Sequence, residues 1–210
     1  MANNSGITSS IDKVVLNARE KYNELMQSQY VATDMKVDGV ETKGQLEENV
    51  KKDTTKEQYT RTCTCMLGVD VHRGSTIEIK PIDQTEYTMK GIVLTIPSRT
   101  PVDYCFTALL YNTKARRYRK QLIYSSEGYV IGDNPIIEDE IPCFVQRIGM
   151  RERQINAGID SNSVNEIITS KDWDIQLNDL LYIGSDSYII TDIRELDEEL
   201  FYGTMTYYRA

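Results

Sequence analysis

Asp174-Ile-Gln-Leu-Asn-Asp-Leu-Leu-Tyr-Ile-Gly-Ser-Asp-Ser-Tyr-Ile-Ile-Thr-Asp-Ile193 alternates apolar and polar residues on both sides of a small polar tip, the pattern of a β-hairpin. An echo of it begins at Asp70. Aligned without gaps, Val71 faces Ile175, Gly74 faces Asn178, Ser75 faces Asp179, Ile77 faces Leu181 and Ile79 faces Ile183. Allowing the first copy three extra residues in its hairpin loop then sets Tyr87, Met89 and Ile92 against Tyr188, Ile190 and Ile193. Each copy reads as a turn, an alternating strand, a polar tip and a second strand, so the chain is expected to be mainly β, with one small barrel or sandwich module used twice.

Working outward, Tyr59 to Met66 alternates ahead of the first copy, and Tyr104 to Tyr111 is the expected returning strand after the edge or loop marked by Pro97 and Pro101. Asn165 to Thr169 and Thr204 to Tyr208 take the same places around the second copy, with Arg194 to Tyr202 as an acidic loop or helical turn. The resulting division is 1–58 for an N-terminal arm, helix and polar hairpin or linker, 59–120 for the first module, 121–162 for a connecting segment and 163–210 for the second module. Within the connector, Arg147 to Ser163 is poor in hydrophobes and reads as a long exposed loop.

The N-terminal segment has a different period. Ile11, Val14, Val15, Ala18, Tyr22, Leu25 and Met26 recur at helical spacing, and Ser9 with Asp12 resembles a capping box, so a helix is expected from about Ser10 to Ser28. Such a stripe either packs on the chain's own β-core or is presented to a partner subunit. Between helix and first module, Asp38-Gly39 marks a turn between Met35-Val37 and Val40-Glu41, and Gly44 to Lys52 reads as a short helix.

Composition bounds the chemistry. At 210 residues, 40% hydrophobic and 27% charged, the chain can bury a core, and 14 tyrosines supply rings suited to half-wet surfaces. The formal charge of −8 argues against holding nucleic acid by phosphate neutralisation. Neither a signal peptide nor a membrane segment is expected, since no apolar run reaches the roughly 18 residues needed to span a bilayer. The one basic cluster, Lys114, Arg116, Arg117, Arg119 and Lys120, is a candidate contact for DNA or a partner; the plainer reading is a solvated strand edge or a salt-bridged face against Ile136 to Glu140. Cys63, Cys65, Cys105 and Cys143 include no C-x-x-C pair, and His72 is the single histidine, so free buried thiols are expected, with no metal site and no cofactor. His72 fits a surface turn. No nucleotide-binding, serine-hydrolase or zinc-protease motif occurs, and the adjacent acids Glu138 to Glu140 and Asp197 to Glu199 have nothing to desolvate one of them, so no catalytic residue is assigned and a non-enzyme is expected.

The order of features resembles a head–tail connector family of tailed bacteriophages. The resemblance is carried by the helix ending Asn17-Ala-Arg-Glu-Lys-Tyr-Asn-Glu-Leu25, the hairpin segment Val37-Asp-Gly-Val-Glu41, the x-Val-x-Arg-Gly-Ser-x-Ile-Glu segment ending at Glu78, the strand end Leu110-Tyr-Asn-Thr-Lys114, and the turn Leu177-Asn-Asp179. It spans roughly Ile11 to Tyr208 and departs where Ala115-Arg-Arg-Tyr118 replaces an aromatic that often follows the Asn-x-x-Lys motif. The resemblance implies a virion structural protein, assembled in the host cytoplasm, that forms a homo-oligomeric ring with portal, adaptor and tail proteins as partners. Such a ring joins portal to tail or closes the DNA channel until ejection, in transient contact with passing DNA. The helix stripe would be its subunit interface. The alternative is a standalone β-barrel adaptor or binding module that recognises a peptide or glycan in a tail-fibre or cell-envelope complex.

Overall fold

The structure, a computed structural model, describes residues 10–28, 30–48, 54–149, 162–194 and 197–209. The repeated turn is where the two halves agree most closely. Gly74 (φ 89°) and Asn178 (φ 68°) both take the left-handed conformation, which glycine adopts freely and asparagine tolerates better than most residues. Each passes its backbone N–H to a strand carbonyl, Gly74 to Val93 and Asn178 to Ile190. The next residue's carbonyl accepts from that same strand residue, Ser75 from Val93 and Asp179 from Ile190.

These turns start the fourth strand of two closed six-stranded β-barrels. The first contains β1 (Thr33–Val37), β2 (Val40–Glu48), β3 (Thr60–Met66), β4 (Thr76–Lys80), β5 (Met89–Val93) and β7 (Asp103–Leu110), with the two-residue β6 (Ser98–Arg99) added to the edge of β7. The second contains β8 (Thr113–Tyr124), β9 (Val130–Arg147), β10 (Asn165–Ser170), β11 (Leu180–Ile183), β12 (Asp186–Ile193) and β13 (Leu200–Tyr207). Around the first ring the order is β3-β2-β1-β4-β5-β7, and around the second it is β10-β9-β8-β11-β12-β13. The two circuits are the same connectivity used twice. The fold class expected from the repeat is what the structure has, a mainly β chain with an N-terminal helix and two repeated small barrels.

The register corrects half of the alignment. Ile77 and Leu181 are both buried and equivalent, but Ile77 pairs with Gly91 whereas Leu181 pairs with Tyr188. Gly91, not Tyr87, therefore occupies the place of Tyr188. Ile79 and Met89 are joined by residues 80–88, and Ile183 and Asp186 by Gly184 and Ser185 alone, so the first loop is longer by seven residues, not three. Tyr87 lies in that extra loop, beneath the Lys36 ammonium at 4.3 Å from its ring centroid.

Chain division also differs from the sequence reading. The compact units are Met1–Val50 with Thr60–Ala108, and Lys51–Tyr59 with Leu109–Ala210. The polar hairpin set apart with the N-terminal segment is thus two staves of the first barrel, with Met35 and Val37 pointing into its core. Its Asp38-Gly39 turn forms as expected, with φ of 48° and 80°, the two positive values of a type I′ hairpin. Gly44, placed in a helix by the sequence reading, lies in β2, where the Thr64 carbonyl and the Met35 side chain press against its Cα. The short helix comes later, at α2 (Thr55–Tyr59), behind a reciprocal capping box: the Thr54 N–H donates to Glu57 Oε2 at 2.9 Å and the Glu57 N–H to Thr54 Oγ1 at 3.2 Å. Thr113 to Lys120, placed at the end of the first module, opens the second barrel, and the expected connecting segment contains the end of β8 and all of β9.

Each barrel is filled by alternate strand residues. Cys63, Cys65, Ile77, Ile79 and Val93 fill the first, and Ile141, Cys143, Ile167, Leu181, Ile190 and Met205 the second. Cys63, Cys65 and Cys143 are buried free thiols, and burial pushes each up to about 12.

Candidate functional site

The N-terminal helix α1 (Ser10–Met26) splits the expected stripe into two adjacent lines. Val15, Arg19, Tyr22 and Met26, spaced four, three and four apart, face inward: Met26 is fully buried, Tyr22 is half-buried, and the Arg19 Nε–H reaches the Pro101 carbonyl at 2.5 Å. Tyr22 lies close to Thr64 and Asp103 of the first barrel, and burial raises the pKa of its phenol. The second line, Ile11, Val14, Ala18 and Leu25, faces solvent, with Ile11 72% and Val14 68% exposed. The reading of a helix packed on its own β-core holds for Val15, Tyr22 and Met26, while Ile11, Val14, Ala18 and Leu25 are left facing solvent. Ser9, proposed as its cap, lies outside the described residues.

The helix explains the asymmetry. A docked α-helix buries one line of side chains and leaves the neighbouring one at the rim, where polar residues are the rule. Aliphatics there are bare surface that water must cover. Lys21 lies in the same line, three residues after Ala18 and four before Leu25.

The basic cluster lies on β8, where Lys114, Arg117, Arg119 and Lys120 meet carboxylates. Lys114 meets Glu140 at 2.8 Å and Lys120 meets Asp133 at 3.5 Å, both across the β8–β9 ladder. Arg117 occupies the barrel position that Val37 holds in the first unit, opposite Leu181 as Val37 is opposite Ile77. It is 3% exposed, and it satisfies its charge with Glu138 at 2.7 Å and with the carbonyls of Trp173 and Asp174, both at 2.6 Å. Arg119 forks onto Asp179, Nε to Oδ1 and Nη2 to Oδ2 at 2.6 Å each, and also meets Asp174. These bonds hold Arg119 in its charged form, and the Gln176 amide together with Arg119 holds Asp174 below the usual carboxylate range. Arg116 sits opposite Tyr182 of β11. The cluster is thus largely neutralised in place, the salt-bridged strand face of the plainer reading. Charge already matched by carboxylates releases few counterions from a phosphate chain, which makes this face a poor DNA grip.

Each unit carries a groove among the described residues. One of about 610 Å³ in the first unit is lined by Asp34, Lys43, Lys80 and Tyr87. Asp34 lies between Lys80 at 2.6 Å and Lys43 at 3.1 Å, and these hydrogen bonds lower its pKa. A carboxylate held this way is a poor general base, because the ammonium ions stabilise its ionised form. The other groove, about 540 Å³ in the second unit, runs beside the Arg119–Asp179 clamp. Among the described residues no group of His, Cys, Asp or Glu is arranged to hold a metal ion, and no helix is long and apolar enough to cross a membrane. His72 is exposed in its turn, its Nδ1 3.0 Å from Ser75 Oγ.

The sequence reading missed the far end of β8 and β9. Past the barrel these strands continue as a two-stranded arm around a Ser125-Ser126-Glu127-Gly128 turn, which is closed by the Ser125 N–H on the Tyr129 carbonyl at 2.7 Å. Leu122, Ile123, Tyr124, Tyr129, Val130 and Ile131 are all exposed there. The signal was in the sequence: two apolar triplets, Leu122-Ile-Tyr124 and Tyr129-Val-Ile131, flank a Gly-containing turn, a hairpin pattern in its own right. Of the expected loop at Arg147 to Ser163, residues 150–161 lie outside the described ones, while Ile148 and Ser163 at its ends are buried.

No protein-family model matches the chain, and no curated protein matches it in sequence.

Proposed function

We propose that this protein is a non-enzymatic subunit of a phage neck, one copy in a head–tail connector ring that joins portal to tail, closes the DNA channel, or does both. The reading is supported most directly by α1, a helix fixed to its own barrel by Val15, Tyr22 and Met26 that carries a parallel line of bare aliphatics outward. That arrangement suits a subunit whose surface is completed by a neighbour. The acidic balance of −8 suits a wall along which DNA must slide, because it repels phosphate. The absence of a free basic face on β8 fits the same role.

The test is made in the virus that encodes the chain. Val14→Asp with Leu25→Asp puts two charges into the outward line without touching Met26. Under this reading, filled heads and finished tails accumulate without joining, or joined particles leak DNA, while the purified variant keeps its β-sheet circular dichroism. Normal particle yield from the folded variant removes the helix line as the supporting observation, and normal yield after deletion of the whole chain removes the neck assignment.

A further inference from the structure

The β8–β9 arm is an addition to a barrel that does not need it. In the first unit the equivalent hairpin turns at once, Val37-Asp38-Gly39-Val40, directly beyond the residue that pairs with Ile77. In the second, the equivalent residue is Arg117, and β8 runs on for seven residues to Tyr124, roughly 20 Å of extra ribbon. Among the described residues β11 pairs with β8 only from Arg116 to Tyr118, and β10 pairs with β9 only from Phe144 to Arg147. Beyond Lys120, among the described residues, the two strands pair only with each other. An isolated two-stranded ribbon is marginal in water, and its two open edges invite another chain. This one is also apolar: Tyr129 is 69% and Ile131 67% exposed.

We infer that the arm of one copy packs on the outward line of α1 of the next copy, a head-to-tail contact that builds the ring. The occupant is a second copy because the same chain carries the matching surface. The outward helix line is aliphatic with one cation, Lys21, between Ala18 and Leu25; the arm is aliphatic and aromatic, with an exposed anion, Glu127, at its turn. Two different patches that fit each other make a heterologous interface, which closes into a ring when the rotation allows. A bilayer suits the arm less well, since its outermost residues, Ser125 to Gly128, are polar and acidic and would have to enter the lipid first. The inference deepens the ring reading by naming both faces of the contact.

The experiment is a mixing test on the full chain, read by sedimentation and native mass spectrometry. The helix variant is Val14→Asp with Leu25→Asp, and the arm variant is Ile123→Asp with Ile131→Asp. Wild type is expected to form multiples of the 24.1 kDa chain. Each variant alone is expected to be monomeric, and an equimolar mixture to give one-to-one dimers and nothing larger, because one intact helix line meets one intact arm. Because a variant could fail to fold, a charge exchange is run beside it: Lys21→Glu and Glu127→Lys each weaken association by about tenfold or more, and the double exchange restores it. Monomeric wild type, an arm variant that still assembles, or single charge changes without effect each overturn the contact. So does wild-type flotation with phosphatidylcholine vesicles that the arm variant loses. Monomeric wild type would leave the neck reading standing, since particle assembly in the virus is scored separately.

Discussion

Ser75 and Asp179 hold the same position in two different barrels: each is 1% exposed, and each side chain accepts a hydrogen bond from the backbone N–H three residues earlier, His72 at 3.1 Å and Gln176 at 2.8 Å. The serine does only this and a contact with the imidazole. The aspartate also receives both donors of the Arg119 fork. Ser75→Ala is expected to lower stability by about 1 kcal/mol, the usual net worth of a neutral bond. Asp179→Asn is expected to lower it by about 2 to 3 kcal/mol, because a charged partner is lost and Arg119 stays half-buried. Urea unfolding of both variants checks the order; equal losses would mean the turn, not the ion pair, dominates at Asp179.

That pair also shows how far the sequence could be read. The turn was legible because its chemistry is local: a residue tolerant of positive φ, then a short side chain that caps its own backbone. Fold class followed from it. The second half of the alignment failed because tyrosine matched tyrosine, while the register was set by a hairpin loop whose length nothing local announces. The β1–β2 hairpin was hard to assign for a related reason: only Met35, Val37 and Gly44 of its residues are fully buried, and its outer side carries Lys and acidic residues in ion pairs such as Lys43–Asp34. The helix stripe was visible, but which half docks depends on where the barrel lies, which periodicity does not contain.

Glycine tells a packed stave from a free one. A Cβ on Gly44 would lie 2.1 Å from the Thr64 carbonyl and 2.4 Å from the tip of Met35, and one on Gly203 2.8 Å from the Phe201 ring, whereas Gly132 in the arm has nothing within 4 Å. Gly44→Ala is expected to lower stability by about 1 to 3 kcal/mol, the range for overpacking, and Gly132→Ala to stay within about 0.5 kcal/mol. Thermal melting of the two variants side by side is the check.

Acid should loosen the first barrel through Asp34. Lys80 and Lys43 lower its pKa in the folded state, so the unfolded chain binds the proton more readily. The stabilisation is complete above the ordinary aspartate value and is lost as pH falls through the lowered one. Half-exposure of the carboxylate keeps the effect small. Asp34→Asn is expected to flatten the fall of melting temperature below about pH 4 relative to wild type; an unchanged slope would mean the two lysines do not hold the carboxylate in solution.

Thiol reactivity reads barrel integrity. Burial keeps Cys63, Cys65 and Cys143 protonated, each pushed up to about 12, while Cys105 is half-exposed. Alkylation of the native protein at pH 8 is expected to modify Cys105 first and the other three only with unfolding, since the thiolate is the nucleophile. Intact mass with time distinguishes one early adduct from four. Rapid labelling of Cys63 or Cys65 would place local opening in β3.

The two lines of α1 give opposite outcomes from the same chemical change. Met26 is fully buried, so Met26→Asp forces a carboxylate into an apolar contact and is expected to destabilise the first unit by about 3 to 5 kcal/mol. Val14 already faces water, and Val14→Asp removes no packed contact inside the monomer. Circular dichroism melts at concentrations where the chain is monomeric decide it: a large drop for Met26→Asp with none for Val14→Asp shows that the helix is anchored by one line and carries the other outward. Equal drops would mean that Val14 is packed in solution, and the bare surface on which the ring rests would be gone.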